Sequence, residues 1–199
     1  MSKEPKTNEI VEKRQLAPSI TLFKLYVPDI AKKARPGQFV VLRADDYAER
    51  IPLTIADFDR EKGLVTVIFQ VVGTSTQKLD KFQQGQIILD VVGPLGKPSH
   101  IEKFGTVVCV GGGVGVAPVY PIAKALERGN EVINIIGSRT KEMLILEDEM
   151  KAISSELFVT TDDGTYGHHG FVTDVLKKLI ADKKKIDLVI GIGPIIMMR

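Results

Sequence analysis

The chain has 199 residues, 44% of them apolar, and 27 lysines and arginines against 25 aspartates and glutamates leave a net charge of +2. Residues 1–99 carry 15 basic against 12 acidic side chains and residues 100–199 carry 12 against 13, so neither half has the excess that nucleic-acid or membrane-surface binding calls for. A single cysteine, Cys109, excludes a disulfide framework and a thiolate-rich metal site in this chain; no apolar run approaches the ~20 residues of a membrane span, and the polar start MSKEPKTNE is no signal peptide, so the cytoplasm is the expected location.

Residues 1–7 are charged and read as a frayed terminus. Six short strands follow, at residues 8–16, 19–27, 38–42, 51–56, 64–72 and 86–92. In the second, Phe23, Leu25 and Val27 share one face, Lys24 and Tyr26 take the other, and Pro28 stops the strand. Pro36-Gly37 and Lys62-Gly63 mark turns, residues 75–82 read as a short helix, and Gly93-Pro94-Leu95-Gly96 ends the set. Strands at this spacing predict a small antiparallel barrel.

After Gly105 strands alternate with helices. The strands fall at residues 106–110, 131–136, 157–161 and 187–192, and the helices at 118–128, 141–153 and 173–182. Such alternation predicts a parallel sheet with crossover helices, and a first domain over residues 1–99 followed by a second over 100–199. Cys109 lies inside an apolar strand and reads as a small buried hydrophobe.

The densest signal is where the first of these strands meets its helix, at Gly111, Gly112, Gly113 and Gly115, with Val116, Ala117 and Pro118 following. N–H groups at a helix start face an anion, and glycine lets the main chain approach a diphosphate that a Cβ would obstruct. A tight strand-to-helix turn that binds nothing uses the same glycines, so on this turn alone both readings stand. Val119, Ile122, Ala123 and Leu126 make a stripe to pack on the sheet, and Gly129 ends the helix. Two barrel loops add candidates. Arg50, Ile51, Pro52, Leu53 and Thr54 join a cation, a proline and a hydroxyl at the start of a strand, where a solvated arginine is the plain alternative. Gly73, Thr74, Ser75 and Thr76 set three hydroxyls before a helix, where an ordinary N-cap is the plain alternative. Asp162, in Thr161-Asp162-Asp163-Gly164, ends a parallel strand at the edge where open α/β sheets place ligands, and a segment that only turns the chain is the equal alternative. His168 and His169 point to opposite sides of an extended segment, so no metal site is predicted; His100 reads as a surface residue and Glu147-Asp148-Glu149 as a solvated face.

Taken together, Arg50-x-Pro52-Leu53-Thr54, Ile68-Phe69-Gln70, Gly73-Thr74-Ser75-Thr76, Gly111-Gly112-Gly113-x-Gly115-x-Ala117-Pro118 and Gly193-Pro194-x-x-Met197-Met198 resemble the ferredoxin-NADP reductase superfamily. Within it the order is similar to the electron-transfer subunit branch: the electron transfer subunit of class 1B dihydroorotate dehydrogenase, and the small subunit of NADH-dependent ferredoxin:NADP oxidoreductase, or sulfide dehydrogenase. The resemblance spans roughly residues 8–199 and implies a β + α/β architecture. A six-stranded antiparallel FAD-binding barrel is followed by a Rossmann-like parallel-sheet nucleotide-binding domain, with nicotinamide and flavin meeting at their interface. Position by position, it implies that residues 50–54 hold the flavin and its diphosphate, Arg50 supplying charge and Thr54 a hydrogen bond near the flavin. Ile68, Phe69 and Gln70 run beside the isoalloxazine and ribityl chain, and residues 73–76 bind the FAD diphosphate. Residues 111–118 seat the diphosphate of NAD(H) or NADP(H). Gly193, Pro194 and Met197 close over the nicotinamide side, and Ser138 and Arg139 lie near the adenosine ribose, where arginine serves a 2′-phosphate or an adenine equally.

The resemblance implies hydride transfer from nicotinamide to flavin, and a larger catalytic or flavoprotein subunit as partner. A stand-alone reductase serving ferredoxin and a non-catalytic nucleotide-binding module are the alternatives. Plant-type members carry a tyrosine and a serine where Pro52 and Leu53 stand, and a cysteine where Ile192 stands. Subunits of the branch continue past the last motif into a cysteine-rich segment holding a [2Fe-2S] cluster. The expectation is therefore a C-terminally truncated chain, with no metal ligands of its own.

Overall fold

The structure, a computed structural model, describes residues 4–198 and divides into two compact units, Met1–Ser99 and His100–Arg199. The expectation of fraying over residues 1–7 lies outside the described residues for residues 1–3. From Lys6 onward the chain is tied down, its carbonyl accepting from Glu9 N–H at 3.0 Å.

In the first unit β1 (Glu9–Ala17) and β2 (Ile20–Tyr26) form a hairpin turned at Ser19, whose φ is 61°. With β3 (Phe39–Arg43), β4 (Ile51–Asp59), β5 (Leu64–Gln70) and β6 (Asp90–Leu95) they make an antiparallel sheet in the order β1-β2-β5-β4-β3-β6. The two ends of the sheet meet. Glu9 bridges Ile87, Ile10 N–H donates to Gln86 at 2.9 Å, and Ile88 N–H donates to Asn8 at 3.0 Å. Alternate side chains such as Ile10, Phe23, Leu25, Val40, Leu42 and Val67 fill the interior, each worth ~1.5–3 kcal/mol in burial.

Two readings of this half are corrected, and one helix is added. Pro28 does end the strand, β2 closing at Tyr26, and α1 (Pro28–Lys33), not foreseen in the sequence, begins there, because a proline's fixed φ suits a first helical position and Ile30 and Ala31 find the core. The helix read at 75–82 is α2 (Thr74–Asp80). The last strand runs through Gly93-Pro94 rather than ending before it. Gly93 and Pro94 lie in the bulge between the pairs Val41↔Val92 and Phe39↔Leu95, where no ladder bond is asked of a residue with no N–H to give.

The second unit is a parallel sheet ordered β10-β9-β8-β7-β11. Its strands are β7 (Thr106–Gly112), β8 (Glu131–Ser138), β9 (Glu156–Thr161), β10 (His168–His169) and β11 (Leu188–Ile192). α3 (Val116–Leu126) buries Val119, Ile122, Ala123 and Leu126, the stripe legible in the sequence. α5 (Val172–Ala181) packs Val172 and Val175 with Val108, Val110, Ile133 and Ile135. The helix read over 141–153 breaks in two: a 3-10 turn at Lys141–Met143, then, past a left-handed Leu146 (φ 57°), α4 (Glu147–Ala152). The break lies at Leu144, which is extended, and Leu146, and Lys141 N–H, which would have no partner inside a helix beginning there, donates to Thr165 Oγ1 at 3.1 Å.

Candidate functional sites

In the barrel, the first half of β4 pairs with β3, from Ile51↔Leu42 to Thr54↔Phe39, and the second half pairs with β5, from Ile55↔Val67 to Asp59↔Leu64. The strands therefore part at Thr54. Ile68, Phe69 and Gln70 remain paired to β2 alone, opening a notch edged by the main chain of residues 51–54 and 68–70. Ile51 and Leu53 pack on the core, which turns Pro52 and Thr54 to the opposite face. Phe69 is buried edge-on to Phe23, with centroids 5.2 Å apart, so anything it offers a ligand is main chain. Ile68 is buried as well, whereas Gln70 is half-buried.

Arg50 is exposed just before β4. The neighbouring Glu49 accepts a short hydrogen bond from Ser75 Oγ, which brings the Arg50 segment and the turn at 73–76 together. Thr76 Oγ1 is also engaged: it accepts from Val72 and Gly73 N–H, both at 3.1 Å, and donates to the Gly73 carbonyl at 3.0 Å. Two of the three hydroxyls are thus committed within the protein. What the turn offers an anion is Thr74 and the N–H groups of Thr74, Ser75 and Thr76, which have no partner inside the helix. Gly73 is informative. Its φ is −137° and a Cβ there would meet nothing within 4 Å, so neither conformation nor packing inside the barrel requires glycine.

In the second unit the chain leaves β7 for β8 on one side and returns to β11 on the other, and open α/β sheets bind ligands outside the carboxyl ends at such a switch. Gly112, Gly113 and Gly115 lie at the end of β7, and Gly193, Pro194 and Met197 follow β11. The two groups meet. A Cβ on Gly115 would lie 2.4 Å from the Ile192 carbonyl oxygen, and one on Gly112 or Gly193 would strike the Met197 side chain at 2.6 Å. The reason for Gly115 is therefore the protein's own backbone packing, whereas Gly112 and Gly193 meet chiefly the movable end of Met197. Gly113 differs: its φ is +56° and its Cβ position is open. Val116 and Ala117 are buried and Pro118 half-buried, leaving main chain as their offer to a ligand.

At the neighbouring strand ends Asp162 N–H donates to the Ser138 carbonyl at 3.0 Å and Asp163 N–H to that of Arg139 at 3.2 Å. Ser138 Oγ turns to the Thr140 carbonyl, and Arg139 is exposed. Asp163 is held below its ordinary value by hydrogen bonds from the Thr165 hydroxyl and N–H. Tyr166 donates to Glu147 at 2.8 Å, which pushes its phenol up, and Lys141 Nζ lies 4.8 Å from its ring centroid. Glu147 is thus more than a solvated face. Sequence reasoning missed it and Glu49 alike, because each partner lies tens of positions away or on an unrelated loop and no periodicity records the pair. Burial pushes the Cys109 thiol up to about 12, which makes it inert. His168 and His169 form the exposed β10, and no group of three potential metal ligands occurs among the described residues.

The Oxidoreductase NAD-binding domain family matches residues 109–199. A Thermotoga maritima protein named dihydroorotate dehydrogenase B (NAD(+)), electron transfer subunit homolog, is 51% identical over 193 residues, covering 96% of this chain and 68% of the relative. The chain belongs to the family of dihydroorotate dehydrogenase B electron transfer subunits and their homologues. The Fusobacterium nucleatum electron transfer subunit of this family is 37% identical, covering 96% of this chain and 76% of that one. A solved structure of NADH-dependent reduced ferredoxin-NADP oxidoreductase, described for flavin-based electron bifurcation, superimposes with a TM-score of 0.92 at 49% identity, over 100% of this chain and 71% of that one. The family has the ferredoxin reductase-like fold, in which the six-stranded antiparallel sheet and the five-stranded parallel sheet found here are joined in one chain. No helix among the described residues is long and apolar enough to cross a membrane.

Proposed function

We propose that the chain is the flavin-reducing, electron-transfer subunit of an oxidoreductase complex. It takes a hydride from NADH or NADPH and passes the electrons to a larger partner subunit. The observation that carries the reading is the Ser75–Glu49 bond, which brings the Arg50 segment to the turn at 73–76, where N–H groups at the start of α2 have no partner inside the helix. A diphosphate resting on the turn would accept from those N–H groups, and the open Cβ position at the Gly73 N-cap leaves its oxygens room to reach the main chain.

The residues present fit FAD. Arg50 provides a fixed cation and the N–H groups of residues 74–76 provide donors for a diphosphate. The parted edges at residues 51–54 and 68–70 offer main-chain groups and the Thr54 hydroxyl to a flat polar ring. In the second unit Gly113 and the start of α3 would receive the nucleotide diphosphate, and Gly193, Pro194 and Met197 would border the nicotinamide. Arg139 and Asp162 would flank the adenosine ribose. FAD, when bound, supplies the acceptor for a hydride from nicotinamide C4, so the protein's work is to bind, orient and exclude water rather than to move a proton through an acid–base pair. Cluster chemistry would belong outside residues 1–199, whose one cysteine is buried in β7.

Binding tests the reading. The purified chain should take up FAD with one-to-one stoichiometry, and Arg50→Ala should weaken FAD by about tenfold or more while sparing riboflavin, which has no phosphate. A chain that takes up no FAD would sink it.

A further inference from the structure

The helix α2 is fastened at both ends. At Asp80 the carboxylate accepts from Thr21 Oγ1 at 2.6 Å and lies 3.5 Å from Lys13 Nζ, and Lys13 also donates to the Asp80 main-chain carbonyl. At the first turn Ser75 Oγ donates to Glu49, the residue before Arg50. The loop that delivers Arg50 has its own internal ties, Tyr47 N–H to Asp45 Oδ1 at 2.8 Å and Ala48 N–H to the Asp45 carbonyl at 3.2 Å. Those ties shape the loop but do not reach α2. The Glu49 bond does.

We propose that Glu49 is a positioning residue for the flavin diphosphate: by accepting the Ser75 hydroxyl, it sets the Arg50 cation beside the turn at 73–76. This deepens the reading above and rests on it, since it takes those two segments to share the FAD diphosphate. An exposed carboxylate beside an incoming diphosphate carries an electrostatic cost, which Arg50 offsets. The role needs an acceptor oxygen, not a charge. Glutamine offers one and alanine does not.

The test compares FAD and riboflavin dissociation constants, read by flavin fluorescence, for the intact chain and for E49A, E49Q, S75A and the E49A/S75A double variant, with thermal midpoints alongside. E49A and S75A should each weaken FAD about fivefold, leave riboflavin unchanged, and combine with no further loss. E49Q should stay within about twofold of the unaltered chain. Equal losses for FAD and riboflavin, or tighter FAD binding in E49A or E49Q, overturn the proposal: the first makes Glu49 merely structural and the second makes it a competitor of the phosphate. Arg50→Ala separates this failure from failure of the underlying reading. If R50A leaves the FAD-to-riboflavin ratio unchanged, the diphosphate lies elsewhere; if R50A lowers the ratio and E49A does not, the site stands and the role of Glu49 falls.

Discussion

Two glycines that look alike in the sequence have opposite work. A Cβ on Gly115 would lie 2.4 Å from the Ile192 carbonyl oxygen, so Gly115→Ala forces backbone apart and should cost about 1–3 kcal/mol in denaturant unfolding. Gly73 has open space and an ordinary φ but is the N-cap of α2, where glycine is favoured over alanine, so Gly73→Ala should cost about 0.5–1 kcal/mol of stability while measurably weakening FAD. The pair of measurements, stability and flavin affinity on each variant, separates packing from ligand approach. Arg139→Glu should weaken NADPH more than NADH in equilibrium binding, since only NADPH brings a phosphate to the ribose 2′ position; equal effects would remove Arg139 from the ribose. Cys109 should resist thiol reagents at pH 8 in the folded chain and react on unfolding. The glycine pattern was legible, but its reasons were not: spacing gives the missing Cβ and never the atom that would meet it. Glu49 and Glu147 were invisible for the same reason, their partners Ser75 and Tyr166 being set by the fold.

At the scale of elements, ion pairs at the amino ends of the parallel strands make an acid-sensitive seam. Lys184 bonds Glu131 at 3.0 Å and Glu156 at 2.9 Å, and Asp187 accepts from Thr106 N–H at 2.9 Å. Glu131 is held below its ordinary 4.5 chiefly by Lys184, and Asp187 below its ordinary 3.8 chiefly by the Thr106 N–H. For such depressed acids the stabilisation is complete above the ordinary value and is lost as pH falls through the lower folded value. Lys184 is raised above 10.5, chiefly by Glu156, so its contribution is full below that value and is lost as pH rises through the raised one. Thermal midpoints of Lys184→Met should therefore show a shallower fall at both pH limits than the unaltered chain, with the Asp187 share of the acid limb retained. Identical profiles would mean the seam is inert. The parallel strands and the α3 stripe were legible because their periods are strong. α4 and β6 were misjudged because a left-handed turn at Leu146 and a bulge that accommodates Gly93-Pro94 override local pattern.

For the molecule as a whole, the order of short alternating strands followed by strand–helix repeats was enough to predict a barrel and a parallel sheet, since each class has its own period and turn spacing. Five motifs in one order carried the family resemblance, and the chain's kinship with electron transfer subunits agrees with it. The partner is not legible in either. Its docking is a property of surface rather than of period, and the motifs concern cofactors only. The central claim is that one chain of this sequence joins a flavin to a nicotinamide nucleotide. It is tested most directly by loading the purified chain with FAD under anaerobic conditions and titrating NADH and NADPH separately while following the visible flavin band. Bleaching that is complete at stoichiometric nucleotide is the predicted result, and the nucleotide that achieves it identifies the donor. Stoichiometric binding of FAD with a band that neither nucleotide bleaches would contradict the account and leave a module that binds without transferring electrons.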